Sequence, residues 1–433
     1  MVKDQDIQKL KGFREFLPGE MKARRKLFES MRKVAEKFGF REIGTPSLEP
    51  KELFMIKSGD ELVQQTYSFK DKGGRQVTLI PEETPTRARM VKENKDVSKP
   101  IKWFSESKFW RYESTQKGRL REFYQFNYDI FGEKSVEADA EIIAVAVEML
   151  KELGLEKAAE IRINDREMLE GILSTYGIEQ SMVEVLNIID DKEKMSQKEF
   201  IEELVDAGLS DEESEVVDKV TELSGNFEDV MPELEQLVPD SEESIEAFER
   251  LSELKELLDG YDVLENCIID LSIIRGLAYY TGMVFEIFDK EGDLRALCGG
   301  GRYDDLIETL GGEETPAVGF APGDAVIELL MKREGLWPEE EIETDVYVLN
   351  VSESVKKKSM EIARLLRDQD LIVEVDLSGR NFGNQMKYAN RINTQKLVIV
   401  GERDLKKGEV TVKDMASGEE EQVDLKSLEG YFQ

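Results

Sequence analysis

The densest chemistry in this chain of 433 residues lies at 109–132, FWRYESTQKGRLREFYQFNYDIFG, where Arg111, Arg119 and Arg121 alternate with aromatic residues and with Glu113, Glu122 and Asp129. Guanidinium groups bind phosphate oxygens in pairs, and aromatic faces stack bases. The two-residue period of a strand puts Arg111 and Glu113 on one face of a first strand, and Phe123, Gln125, Asn127 and Asp129 on one face of a second. An ordinary antiparallel hairpin with a salt-bridged rim has the same pattern. A further stretch, GGGRY at 299–303, lacks the Lys-Ser/Thr ending of a phosphate-binding loop. It fits close backbone approach to a substrate, with Tyr303 as a wall, or a glycine-rich bend of structural use only.

What the composition lacks narrows the chemistry. There are no histidines, where ordinary usage predicts about nine. That removes a histidine general base, a Ser-His-Asp triad and every histidine-ligated metal site. Two cysteines, Cys267 and Cys298, make neither a disulfide framework nor a four-cysteine zinc site. No protein metal site is expected; positioned charge, hydrogen bonding and a hard cation such as Mg²⁺ remain. Net charge is −34 and is uneven, +4 over residues 1–150, −37 over 151–350 and −1 over 351–433. The acid reads as a solvated, salt-adapted surface, and a polyanion can dock only on the more basic first part. No apolar run is long enough for a membrane span and no signal-peptide core is present, so a cytoplasmic protein is expected.

These residues need elements to hold them. Residues 20–38 carry Met21, Leu27, Met31, Val34 and Phe38 near helical spacing. FREIGTPSLEP reads as a strand that Pro46 interrupts. Residues 67–80 read as a hairpin around DKGGR, 102–112 and 121–131 as two strands, and 137–153 as an amphipathic helix. Charged helices with few aromatics fill about 174–262, an acidic helical insertion. CIIDLSII and YYTGMVFEIFD are strand-like. The acid run and proline of 336–343 mark a linker, and 344–433 alternates strand and helix as a small α/β domain.

Several of these segments together resemble one family. FWRYE, a loop and REF resemble motif 2 of class II aminoacyl-tRNA synthetases, and GFREIGTPSLEP resembles their motif 1 around Pro46. RGLAYYTGMVFE at 275–286 is similar to the RGLDYY motif of histidyl-tRNA synthetases, and TLIPEETPT, GGGRYDDLI and GERDLKKGEVTVKDM match that family in order, nearest its archaeal branch. The resemblance covers nearly the whole chain.

It implies an α+β catalytic domain at 1–335, an antiparallel sheet flanked by helices, followed by an anticodon-binding α/β domain at 344–433. It implies a histidine–tRNA ligase that activates L-histidine with ATP, Mg²⁺ bridging the phosphates, and passes it to the 3′ end of tRNA(His), as a homodimer through motif 1. Carried over by position, Glu82 and Thr84 bind the histidine α-amino group. Arg111 holds the α-phosphate and the carboxylate side, Arg119 lies near the outer phosphates, and Phe123 stacks on adenine. Gln125 binds the amino acid, and Asp129 accepts from the imidazole. Arg275 stabilises charge at the α-phosphate, and Tyr279 and Tyr280 line the imidazole pocket. Two positions depart from the family: Ala278 replaces the aspartate of RGLDYY, and Asp324, Ala325 and Val326 stand where motif 3 ends in an arginine. Those departures favour the alternative, a non-aminoacylating regulatory or RNA-binding paralogue.

Overall fold

A computed structural model describes residues 8–56, 59–274, 279–338 and 344–432. The chain divides into two units, Met1–Glu15 with Lys26–Trp337, and Phe16–Arg25 with Pro338–Gln433.

The first unit is built on a sheet that, among the described residues, has nine strands. Its centre is the pair Ile101–Trp110 and Glu122–Phe131, antiparallel over ten registered residues from Ile101 opposite Phe131 to Trp110 opposite Glu122. Outward from the second of these come Ala317–Phe320, Cys298–Arg302, Met283–Asp289 and Ala159–Asp165, each antiparallel to the last. Cys267–Asp270 then pairs in parallel, and Ser224–Gly225 closes that edge. Arg41–Glu42 pairs in parallel at the other edge. Helices cover the apolar face, two of them over its centre. Leu27, Met31, Val34 and Ala35 of Pro18–Lys37, and Ile142, Val145, Ala146 and Met149 of Val136–Glu152, share one core with Phe104, Phe126, Tyr128 and Ile130 of the central strands. Met21, expected on the apolar face, is exposed.

Helices Met182–Asp190, Gln197–Asp206, Asp211–Thr221, Phe227–Leu237 and Glu242–Gly260 fill the acidic stretch. Ser196 with Glu199 and Ser210 with Glu213 form reciprocal capping boxes that start two of them. Leu186, Phe200, Val217, Leu234 and Leu251 belong to the same core as the sheet, and Ser224–Gly225 lies in the sheet itself. Few aromatics and much acid therefore mark an exposed face, not the lack of a buried one.

The hairpin expected at 67–80 is Ser68–Lys70 against Gln76–Leu79, with Gly74 at φ +81° in its turn. One strand expectation is corrected. Arg111 and Glu113 do not share a strand face, because the strand ends at Trp110. The Tyr112 amide donates to the Gln65 carbonyl at 2.6 Å and the Glu113 amide to that of Arg111 at 2.9 Å, so the chain leaves the sheet there.

The second unit carries a five-stranded sheet in the order Val373–Val375, Thr344–Asn350, Thr394–Val400, Glu409–Asp414, Glu420–Asp424. The first three strands are parallel and the rest antiparallel. Helix Lys356–Arg367 packs Ile362, Ala363 and Leu366 into the core with Val346, Val348 and Val398. Part of the expected linker, 339–343, lies outside the described residues. Among the described residues no helix is long and apolar enough to cross a membrane.

The glycines of GGGRY serve the sheet. They lie in Cys298–Arg302, and a Cβ on Gly300 would sit 2.5 Å from the Gly319 carbonyl oxygen and 2.5 Å from Phe320 Cβ. Backbone atoms cannot yield as a flexible side chain can. Gly300→Ala is expected to lower the unfolding free energy by about 2 kcal/mol or more, read from chemical denaturation; an unchanged midpoint would show that the strands can spread.

Candidate active site

One helix start organises the site. Glu83 stands at the N-cap of Thr84–Glu93, yet its side chain makes no cap bond. It turns inward to Arg87, four residues on, whose Nε donates to Glu83 Oε2 at 3.0 Å. The Arg87 side chain is completely buried. Its Nη1 donates to Asp129 and, at 3.4 Å, to the Trp103 carbonyl. Its Nη2 donates to Ser105 Oγ at 2.6 Å and to the Asn127 carbonyl at 3.4 Å. All five guanidinium protons are used. Glu83 also accepts from Thr45, Ser105 and Ser107. Burial alone would raise its pKa, but the Arg87 charge and these hydroxyls outweigh it and hold the carboxyl below its ordinary range. Asp129 goes the other way, raised by burial against the opposing pull of Arg87 and Tyr303. The Tyr303 hydroxyl donates to its second oxygen.

Above this cluster opens a cavity of about 340 Å³. Glu82, Thr84, Gln125, Asp129, Tyr279 and Tyr280 line it, as do Arg111, Arg119 and Phe123. Nine of the ten expected site residues thus come together; the tenth, Arg275, lies outside the described residues, as does Ala278. Tyr279 donates to Glu82 Oε2 at 2.9 Å, and its ring lies 5.0 Å from that of Tyr280 and 5.9 Å from that of Tyr303. Gln125 Nε2 donates to the Ala321 carbonyl at 3.3 Å. The face Phe123–Gln125–Asn127–Asp129 is the cavity floor, and Gly319 on the next strand makes room for it: a Cβ there would lie 2.0 Å from Asp129 Oδ1.

The other end of the cavity is cationic. Arg111, off the strand, donates from Nε to the Pro81 carbonyl at 2.9 Å, and its guanidinium carbon sits 5.4 Å from the Phe123 ring centre. Arg119 pairs with Glu113. Gly118, at φ +76°, turns the loop over Val326: a Cβ on Gly118 would lie 3.0 Å from Val326 Cγ2 and 3.8 Å from Arg295 Cδ. Arg295 lines the same cavity. Partial burial and the neighbouring charges of Arg119 and Arg111 hold its pKa below the usual arginine value, against Glu113 and Glu286. Asp324 is tied down elsewhere, ion-paired with Arg14 at 2.6 Å and accepting from the Tyr124 amide at 2.9 Å. Among the described residues no group of three or more acidic or cysteine side chains could hold a metal ion.

Sequence reasoning missed Arg87, Ser105, Arg295 and the bond from Tyr303 to Asp129. The one local signal was the four-residue spacing of Glu83 and Arg87; the rest are contacts across the sheet. Because Glu83 and Asp129 are buried and, among the described residues, no other cation is bonded to them, Arg87→Leu is expected to cost about 3–5 kcal/mol in a urea melt. Arg87→Lys should recover part of it. A leucine variant of unchanged stability would remove the guanidinium from this role.

Comparison with known proteins places the architecture. The histidyl-tRNA synthetase family pattern matches residues 12–323, and that of an anticodon-binding domain matches 345–433. The chain is 46% identical to the histidine–tRNA ligase of Haloarcula marismortui over 426 residues, 98% of this chain and 97% of that one. It is 46% identical to the histidine–tRNA ligase of Natronomonas pharaonis, over 96% and 95% of the two chains. The crystal structure of histidyl-tRNA synthetase from Nostoc sp. PCC 7120 superposes with a TM-score of 0.82 over 99% of both chains, at 26% identity. A large, mainly antiparallel sheet carrying a carboxylate-and-tyrosine end and an arginine end in one cavity, with these matches along almost the whole chain, makes it a member of the histidyl-tRNA synthetase family.

Proposed function

We propose that the protein is a histidine–tRNA ligase, and that residues 1–335 activate the amino acid while 344–433 read the tRNA. The observation that carries the reading is the two-ended cavity: an amino-acid end of Glu82, Thr84, Gln125, Asp129, Tyr279 and Tyr280 beside a cationic end of Arg111, Arg119 and Arg295. Glu82 and Thr84 take the α-ammonium, and Asp129 accepts an N–H of the imidazole. Asp129 is braced by Arg87 and Tyr303, and its remaining lone pairs face the ligand.

Arg111 meets the α-phosphate and the amino-acid carboxylate, so the carboxylate oxygen attacks phosphorus in line and pyrophosphate leaves. The 3′-terminal ribose hydroxyl of tRNA then attacks the activated carbonyl and AMP departs. Neither step needs a side-chain nucleophile; positioning and preorganised cations supply the stabilisation. Phe123 offers a ring to adenine. Arg295, beside the packed Val326, supplies the guanidinium that residues 324–326 do not, and with Arg119 meets the outer phosphates. Among the described residues Glu113, Glu286 and Asp324 are carboxylates at that end, and Asp324 is held by Arg14, which leaves two. Two acids are too few for a protein cage, so Mg²⁺ would ride on the phosphates and water, lending charge neutralisation.

Leu48, Met55 and Ile56, which follow Pro46 in the sequence, are exposed and support a homodimer through this segment. The regulatory or RNA-binding alternative loses its ground, because the cavity keeps both ends and the full-length relatives named above are ligases.

Histidine-dependent ATP–pyrophosphate exchange tests the reading, and its absence would sink it. Arg111→Ala is expected to slow exchange by about 100-fold or more, ~3 kcal/mol of lost charge stabilisation, with the melting temperature near that of the parent. Arg295→Ala should raise the KM for ATP well above any change in the KM for histidine; equal changes would place Arg295 away from the phosphates.

A further inference from the structure

The cationic end of the cavity is framed by two walls. Loop 112–121 brings Glu113, Gly118 and Arg119, and the first turn of helix Asp324–Arg333 brings Asp324, Ala325 and Val326. Residues 10–14 touch both walls, and none of them lines the cavity. The Gly12 carbonyl accepts from the Arg121 amide at 3.0 Å and the Glu122 amide at 3.1 Å, where the loop rejoins the sheet. Arg14 Nη2 donates to both carboxylate oxygens of Asp324, at 2.9 and 2.6 Å, and its Nη1 lies 3.5 Å from Glu328, one turn along the helix. Between them the Phe13 ring meets Tyr67 edge-on at 6.2 Å, and Tyr67 meets Tyr112 of the loop at 5.6 Å.

The segment is a tie rather than a loose end. From Gly12 to Arg14 the backbone spans at most about 7 Å, so it cannot stretch. Asp324 is completely buried, and a buried carboxylate resists losing a bonded guanidinium. Gly12, at φ +84°, sits so close to the loop that a Cβ would lie 2.7 Å from Thr115 Cγ2 and 2.9 Å from Arg121 Cγ. We propose that residues 10–14 are a strap that sets the gap between the loop and the helix, with Gly12 and Arg14 as positioning residues for the nucleotide; this rests on the reading that the cationic end takes ATP. The strap orders the loop in advance, so that binding does not bear the entropy of ordering it.

The test pairs Gly12→Ala, which changes no charge, with Arg14→Gln, in histidine-dependent ATP–pyrophosphate exchange and in limited trypsin digestion of the whole chain. Both variants are expected to raise the KM for ATP about 10-fold and to leave the KM for histidine within about twofold of the parent. Cleavage after Lys117, Arg119 and Arg121 should quicken about 10-fold as the loop opens more often. Arg14→Lys should return both readings toward the parent. Unchanged cleavage in both variants, an effect of Arg14→Gln without one of Gly12→Ala, an equal rise in both KM values, or loss of folding in both variants would each overturn the strap. Faster cleavage with an unchanged ATP KM would overturn its role toward the nucleotide. A parent protein with no histidine-dependent exchange would instead overturn the functional reading beneath it, and the cleavage rates would still judge the strap.

Discussion

A guanidinium shut away from water must find an acceptor for every N–H it carries, and Arg87 finds five. That requirement ties the first turn of Thr84–Glu93 to both central strands, because the acceptors come from Glu83, from Trp103 and Ser105, and from Asn127 and Asp129. Replacing such a cluster with well-packed apolar residues is often neutral for stability, so its use here lies in placement. Each acceptor holds Arg87 in one position, and Arg87 in turn holds Asp129 at the cavity floor in one rotamer. The carboxylate on the cavity floor is thus held in place by the protein itself.

The opposite end of the cavity is arranged differently. Arg111, Arg119 and Arg295 bring like charges together, with Arg119 paired to Glu113. Burial first, and then the charges of Arg119 and Arg111, lower the pKa of Arg295. An anion placed there would relieve the repulsion among the three guanidinium groups.

Local pattern was enough for most of the scaffold. The hairpins, the covering helix at 136–152 and the alternating strands of the second unit all follow from periodicity and turn residues that are neighbours in sequence. The floor of the site was legible for the same reason: Phe123, Gln125, Asn127 and Asp129 share a strand, and period two assigns them one face. What stayed hidden is long-range. Arg87 to Asp129 spans 42 residues and Tyr303 to Asp129 spans 174, and no local pattern encodes either. Arg111 and Glu113 were misplaced because their amino-acid types suit a strand, whereas the Gln65 carbonyl that draws the chain out of the sheet is remote in sequence. The remaining assignments came from family resemblance, which supplies names for positions but not the bonds that hold them.

The floor strand, locked antiparallel over ten residues and flanked on its other side by Ala317–Phe320, works as a ruler as well as a support. Alternate residues along it are spaced at close to 7 Å, so the ligand is measured off in whole steps. A single inserted or deleted residue within it would shift one portion by half a step and turn that portion's side chains to the opposite face. Phe126, Tyr128 and Ile130 would meet the ligand, and Asn127 and Asp129 would enter the apolar core. Lineages that change what this pocket accepts must therefore do so by substitution at fixed length.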